Sequence, residues 1–277
     1  MNTDSLKAKL LNISREKGID FQELLNRFGS EQFLARLSAS AYSDRLVFKG
    51  GTLLTYIIET DRRTRDLDFS ALKIGNTLEE VLSLTGEILS VEVDDGIEWA
   101  ETTGFSLDQP EMDYPGHRIK CPFLLGKAKG LVRMDFATGD VVKAKMMHIE
   151  RIRYGDEPLI GADFDILVYP PETIFSEKLH IALKKAGLNT RMKDYYDLYK
   201  LVLSGELDAA LLKSSISDTF GKRETEVRTE IAFDTATLDR LQGYWTPFIR
   251  KMKLTDAPVD LKDVIAAINK ALGNAFA

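Results

Sequence analysis

Leu46-Val47-Phe48-Lys49-Gly50-Gly51-Thr52 and, fourteen residues beyond Thr52, Asp66-Leu67-Asp68-Phe69 are the two stretches that decide the fold of this 277-residue chain. The first reads as a short apolar strand, a glycine turn and a helix running from about Thr52 to Glu59. Glycines let the backbone turn sharply and let a ligand come close. A helix start also offers free N–H groups and the positive end of the dipole, which suits phosphate. A plain tight turn would read the same way. In the second stretch, residues two apart share a strand face, so Asp66 and Asp68 stand side by side while Leu67 and Phe69 point to a core. Adjacent carboxylates call for a compensating cation, and a hard divalent ion such as Mg²⁺ prefers oxygen ligands. The alternative is a strand end in water, or pairing with Arg62, Arg63 and Arg65 just upstream.

Together the two stretches say more than either alone. They set phosphate-binding amides from Lys49, Gly50, Gly51 and Thr52 opposite a metal-binding pair, which is the arrangement that nucleotidyl transfer needs. A third carboxylate on a neighbouring strand would serve as ligand or base. Asp135, in Val132-Arg133-Met134-Asp135-Phe136, is the candidate, and a surface acid at a strand end is its bland reading. Two later motifs add to the set. Lys178 follows Glu177 in a helix whose buried side is marked by Ile174, Leu179 and Leu183, and a lysine there can reach a phosphate as a point charge. Arg191-Met192-Lys193-Asp194-Tyr195-Tyr196-Asp197 opens the next helix, with Asp194 and Asp197 on one face. A charged first turn complementing the helix dipole is the simpler reading of that motif.

Working outward, the first forty residues predict two helices, the second opened by Asp20 and Glu23 and striped by Leu24, Leu25, Phe28, Leu34 and Leu37. A strand over 67–72 precedes a helix opened by Thr77 with Glu80 and running to about Val93. The middle third reads as strands over 97–105, 118–123, 131–137 and 164–169. After Pro170-Pro171, helices are expected over 172–186, stopped by Gly187, and 191–204, stopped by Gly205. Three more follow near 206–219, 236–252 and 260–273. The expected architecture is α/β plus all-α: a nucleotidyltransferase-type domain with a mixed sheet over 1–170, then a helical bundle over 171–277.

Composition bounds the function. The formal charge is −6, with 44% hydrophobic residues, and a chain of this length can bury roughly 75% of its unfolded surface. One cysteine, Cys121, excludes an intrachain disulfide and fits a reducing compartment. Three histidines and one cysteine make a zinc site of that type improbable. The start lacks the apolar region of a secretory signal, and no apolar run approaches a membrane span, so a cytoplasmic protein is expected. Residues 74–117 hold eleven acids and no Lys or Arg; residues 118–134 hold Arg118, Lys120, Lys127, Lys129 and Arg133 and no acid. Further basic groups stand at Lys184, Lys185, Arg191 and Lys193. Such local basic surface suits a polyanion, although solvated faces would look the same.

Taken in order, Lys49-Gly50-Gly51-Thr52, Asp66-Leu67-Asp68, Glu177-Lys178 and Lys193-Asp194-x-x-Asp197-Leu198 resemble the AbiEii/AbiGii toxin family, nucleotidyltransferases of the polymerase-β-like superfamily. The matches span about residues 45–200. The resemblance implies a toxin of an abortive-infection operon, restrained by a separately encoded antitoxin protein and transferring a nucleotide from an NTP to RNA, in some relatives the tRNA acceptor end. It implies that Asp66 and Asp68 are metal ligands, that Lys178 contacts the nucleotide, that Asp194 is the essential acid of the last motif and that Asp197 is structural. Thr52 stands where the superfamily turn often has Ser. Modification of a protein or a small molecule, and a nucleotide-binding regulator without transfer activity, are the alternative functions.

Overall fold

In a computed structural model, the chain is described except at residues 1, 59, 61–63, 73, 76, 108–115, 139–142, 186 and 187. Contacts divide it into two compact units, Met1–Leu53 with Thr64–Tyr169 and Leu54–Arg63 with Pro170–Ala277.

The first unit opens with α1 (Thr3–Lys17) and α2 (Phe21–Ser38). Asn2 caps α1 and Gly18, at φ +61°, ends it in the left-handed conformation. Asp20 caps α2 by accepting the Glu23 N–H at 3.0 Å. Next along the chain come β1 (Leu46–Lys49), α3 (Gly50–Ile57), whose residues from Leu54 on belong to the second unit, β2 (Asp66–Ala71) and α4 (Leu78–Leu89). The Thr77–Glu80 capping box forms in full. The helix stops four residues short of the expected end.

The middle third contains more strands than its sequence suggested: β3 (Ile97–Trp99), β4 (Thr103–Leu107), β5 (Gly116–Leu125), β6 (Ala128–Thr138), β7 (Lys145–Ile149), β8 (Arg153–Tyr154), β9 (Glu157–Pro158) and β10 (Phe164–Val168). The expected strand over 97–105 is two strands, β3 and β4, paired in succession with β5. The strand β7 is not signalled by the sequence pattern, because Lys145-Met146-Met147-His148-Ile149 is largely exposed and does not alternate. The short pair β8–β9 turns at Gly155, φ +65°.

Seven strands run in the order β3-β5-β6-β2-β1-β10-β7, with β4 also on β5. Pairs β1–β10 and β2–β6 are parallel and the other pairs of this sheet antiparallel, so the sheet is mixed as expected. One face is apolar. Leu67, Phe69, Ile119, Cys121, Val132, Met134 and Phe136 are buried there, and Phe69 stands within ring contact of Phe33, Phe48 and Phe136. On the other side of β2, β5 and β6, Asp66, Asp68, Arg118, Lys120, Arg133 and Asp135 are only half-buried. The candidate site lies on that second face.

The second unit holds α5 (Pro171–Lys185), α6 (Met192–Ser204), α7 (Ala209–Lys222), α8 (Thr235–Met252) and α9 (Leu261–Phe276). Gly205 ends α6 at φ +74°, as expected of a glycine stop; the proposed Gly187 stop lies outside the described residues. Trp245 is fully buried and donates its indole N–H to the Pro258 carbonyl at 2.9 Å. Tyr196, also fully buried, donates to Asp256 at 2.9 Å, and Lys200 pairs with the same carboxylate at 2.7 Å.

Helix α2 carries the buried polar side chains of Glu31, Gln32 and Arg36 into the first unit, beside that of Ser30. Arg36 pairs with buried Asp95, and Arg151 donates to Gln32 at 2.9 Å. Glu31 accepts the Ile152 N–H at 2.6 Å, yet burial outweighs this and raises its pKa from 4.5 to about 7. The raised value means that the folded state holds the proton more tightly than the unfolded chain. The contribution is therefore complete below about pH 4.5 and is lost as pH rises through about 7. Its full size is on the order of 3 kcal/mol. Glu31→Gln keeps an acceptor for Ile152 without the charge. It should gain thermal stability over the parent at about pH 8 and much less at about pH 5, read by thermal denaturation.

Candidate active site

Register across the sheet assembles the site. Directly opposed residues on neighbouring strands point to the same face. Lys49 of β1 opposes Asp68 of β2, Asp68 opposes Asp135 of β6, Asp135 opposes Arg118 of β5, and Arg118 opposes Phe105 of β4. One rung thus carries Lys49, Asp68, Asp135, Arg118 and Phe105 in that order. The next rung carries Asp66, Arg133, Lys120 and Thr103. Strand pairing alone brings together four charged side chains and one aromatic ring from positions that span residues 49–135.

The glycine turn is tied to this face. Gly50 sits at φ +77°, which L side chains rarely adopt, and a Cβ added there would collide with the Asp68 carboxylate. Glycine is needed twice over: for the turn, and for the close approach of Asp68 to the backbone. Helix α3 begins at Gly50 itself, two residues before the expected start. Thr52 donates its hydroxyl to the Asp66 carbonyl at 2.6 Å and also bonds the Thr64 hydroxyl. Its oxygen clamps the start of α3 to the start of β2. Lys49 extends over the Tyr169 ring, with its Nζ 4.9 Å from the centroid and 3.4 Å from the phenol oxygen.

The third carboxylate is engaged. Arg118 grips Asp135 with two parallel bonds, Nε to Oδ1 at 2.7 Å and Nη2 to Oδ2 at 2.6 Å, and its Nη2 lies 3.6 Å from Asp66. The hydrogen bond to Asp135 is the largest of the effects that push the Arg118 pKa further up. This pair is legible in the sequence. Leu125-Gly126-Lys127-Ala128 is a two-residue hairpin turn with Gly126 at φ +57°, and counting back from it sets Arg118 opposite Asp135. Of the upstream arginines considered as partners of the aspartates, Arg62 and Arg63 lie outside the described residues.

Oxygen donors on one face, with one carboxylate seated against a glycine, suit a hard cation at Asp66 and Asp68. Among the described residues, no group of three or more His, Cys, Asp or Glu side chains is arranged to hold a metal ion. Bound there, such an ion would neutralise triphosphate charge and acidify an attacking hydroxyl.

The two helical motifs meet in the second unit. Lys178 of α5 lies 3.0 Å from Asp194 and 2.7 Å from Asp197 of α6, and Arg191 reaches Asp194 at 2.7 Å. Both aspartates are buried, Asp194 fully. Burial opposes ionisation of Asp194, but the Lys178 ammonium and the Arg191 guanidinium prevail and hold its pKa below the ordinary carboxylate value. Lys178 is therefore also the counter-ion of two buried acids. Lys178→Met should cost about 3–5 kcal/mol, the usual result of stranding a buried charge, measured by urea denaturation near neutral pH. A lowered pKa means that the stabilisation is present above 3.8 and lost as pH falls through the folded value, so the gap between parent and variant should narrow in acid.

Comparisons with known proteins agree with this architecture. A crystal structure of a candidate nucleotidyltransferase from H. pylori superposes with a TM-score of 0.54 at 15% identity, over 93% of this chain and 96% of that one. JHP933 from Helicobacter pylori gives a TM-score of 0.54 at 16% identity, over 92% and 91% of the two chains. At such identities the likeness concerns the fold. No curated protein matches the chain. Among the described residues, no helix is long and apolar enough to cross a membrane. The family described as nucleotidyl transferase AbiEii toxin, type IV toxin–antitoxin system, matches residues 32–272, so nearly the whole chain is covered, and the chain belongs to this nucleotidyltransferase toxin family.

Proposed function

We propose that the protein transfers a nucleoside monophosphate from an NTP to RNA in a Mg²⁺-dependent reaction, with the acceptor end of tRNA as target and arrest of translation as outcome. In the bacterial cytoplasm a cognate antitoxin protein would hold it in check. The observation that carries the reading is the rung Lys49–Asp68–Asp135, with Asp66 beside it and Gly50 against Asp68. In this reading residues 1–170 form the catalytic domain and 171–277 the helical domain. The turn Lys49-Gly50-Gly51-Thr52 receives the triphosphate through backbone N–H groups and the Lys49 ammonium. Asp66 and Asp68 hold Mg²⁺, with Asp135 as third carboxylate and Arg118 as its neutralising partner.

The acceptor hydroxyl attacks the α-phosphorus, a new P–O bond forms and pyrophosphate leaves. Lys178 and Asp194, paired in the second unit, are the further residues on which activity depends, Asp194 fixing the lysine. An RNA acceptor is favoured over a protein or a small molecule by the basic run from Arg118 to Arg133, which a compact acceptor does not need.

The test is transfer of label. Purified protein, Mg²⁺ and each NTP in turn, labelled at the α-phosphate, are mixed with bacterial lysate and resolved on a denaturing gel. Label is expected in RNA of tRNA size, and Asp68→Ala should abolish it while leaving the protein folded. Expression of Asp66→Ala should likewise restore growth at unchanged protein level. Label in protein, or toxicity undiminished in a folded Asp66→Ala variant, would overturn the reading.

A further inference from the structure

The geometry points to the open sheet face formed by β4, β5 and β6 as a track for single-stranded RNA, with Phe105 as a stacking platform and Lys120 and Arg133 as phosphate contacts. This rests on the acceptor being RNA. The rung that holds Asp68 and Asp135 ends, on the far side of Arg118, at Phe105. Three strand spacings of roughly 4.8 Å put Phe105 about 14 Å from Asp68, within the reach of a few nucleotides.

Phe105 is 44% exposed although it is a large apolar side chain on a strand. Exposed aromatic surface beside cationic groups is what unpaired bases use. Lys120 holds its ammonium 5.5 Å from the Phe105 ring centroid, and Arg133 opposes Lys120 on the neighbouring rung, between it and Asp66. Positive charge therefore continues from the ring to the edge of the carboxylates. Among the described residues of β3 to β6 the acids are Asp135 and Glu98, and Glu98 stands at the far end opposite Leu124. Charge complementarity thus selects a polyanion, and the ring selects one with unpaired bases. A duplex would offer phosphates but no free base face.

The probe is a fluorescent single-stranded oligoribonucleotide of mixed sequence, about ten nucleotides long, followed by anisotropy without NTP over a range of salt. Phe105→Ala should weaken binding roughly tenfold with an unchanged salt slope, and Phe105→Leu should do nearly the same, since it keeps apolar bulk but not the ring. Lys120→Ala and Arg133→Ala should each lower the slope by about 1. A matching RNA duplex should bind more weakly than the single strand and be indifferent to Phe105→Ala. NTP binding, measured separately, should be unchanged in all variants.

Parent-like RNA binding by Phe105→Ala and Phe105→Leu would overturn the track. So would duplex binding as tight as that of the single strand. The labelling experiment separates the two readings: label in RNA with unaffected Phe105, Lys120 and Arg133 variants sinks this inference alone. Label in protein sinks the acceptor assignment and, with it, this inference.

Discussion

Carboxylates crowded on one sheet face repel one another, and much of the first unit is arranged around that repulsion. Two unit charges about 5 Å apart near a protein surface repel by roughly 3 kcal/mol, a large share of ordinary net stability. Asp66, Asp68 and Asp135 are neighbours by strand register and sequence spacing. Arg118 neutralises Asp135 with two charged hydrogen bonds and reaches toward Asp66. Lys49 stands across from Asp68. The opposite face of the same strands supplies the compensating energy, with Phe33, Phe48, Phe69 and Phe136 in one aromatic cluster. A strand such as Asp66–Phe69 therefore does two jobs at once: its odd-numbered residues bind the sheet to its core, while its even-numbered ones present carboxylates on the half-buried face.

The same logic of paired charge recurs in the second unit, with the opposite emphasis. There the paired acids Asp194 and Asp197 are buried. Lys178 serves Asp194 and Asp197 together, and Arg191 closes the remaining oxygen of Asp194. A group held so firmly has its rotamer fixed by its two partners. Because Lys178 neutralises two buried acids, loss of growth inhibition on mutating it would not by itself identify a catalytic role. Substitutions at Asp66 or Asp68 separate stability from catalysis more cleanly, since those carboxylates stand on a half-buried face.

Membership of the AbiEii toxin family gives these charge arrangements a common context. A nucleotidyltransferase must bring together a triphosphate and an acceptor, both strongly anionic where the acceptor is RNA. The chain is acidic overall, at −6, yet it concentrates cations on β5 and β6 next to the carboxylates. Local field, not net charge, decides which ligands approach.

Much of this was legible in the sequence for a physical reason: local geometry is encoded locally. The alternation of Asp66-Leu67-Asp68-Phe69 fixes which residues share a face once the segment is a strand, the Thr77–Glu80 pair announces a helix start, and Gly205 announces a helix stop. Four separated motifs in order were enough to indicate the family. Tertiary structure decided what pairing across the sheet decides. That Asp68 stands between Lys49 and Asp135, and that Phe105 terminates the same rung, follow from hydrogen-bond register between strands as far apart as β1 and β6. Register depends on the summed burial of whole strands and on turn geometry, so for parallel partners such as β2 and β6, with long connections and no hairpin to count from, no local stretch of sequence contains it.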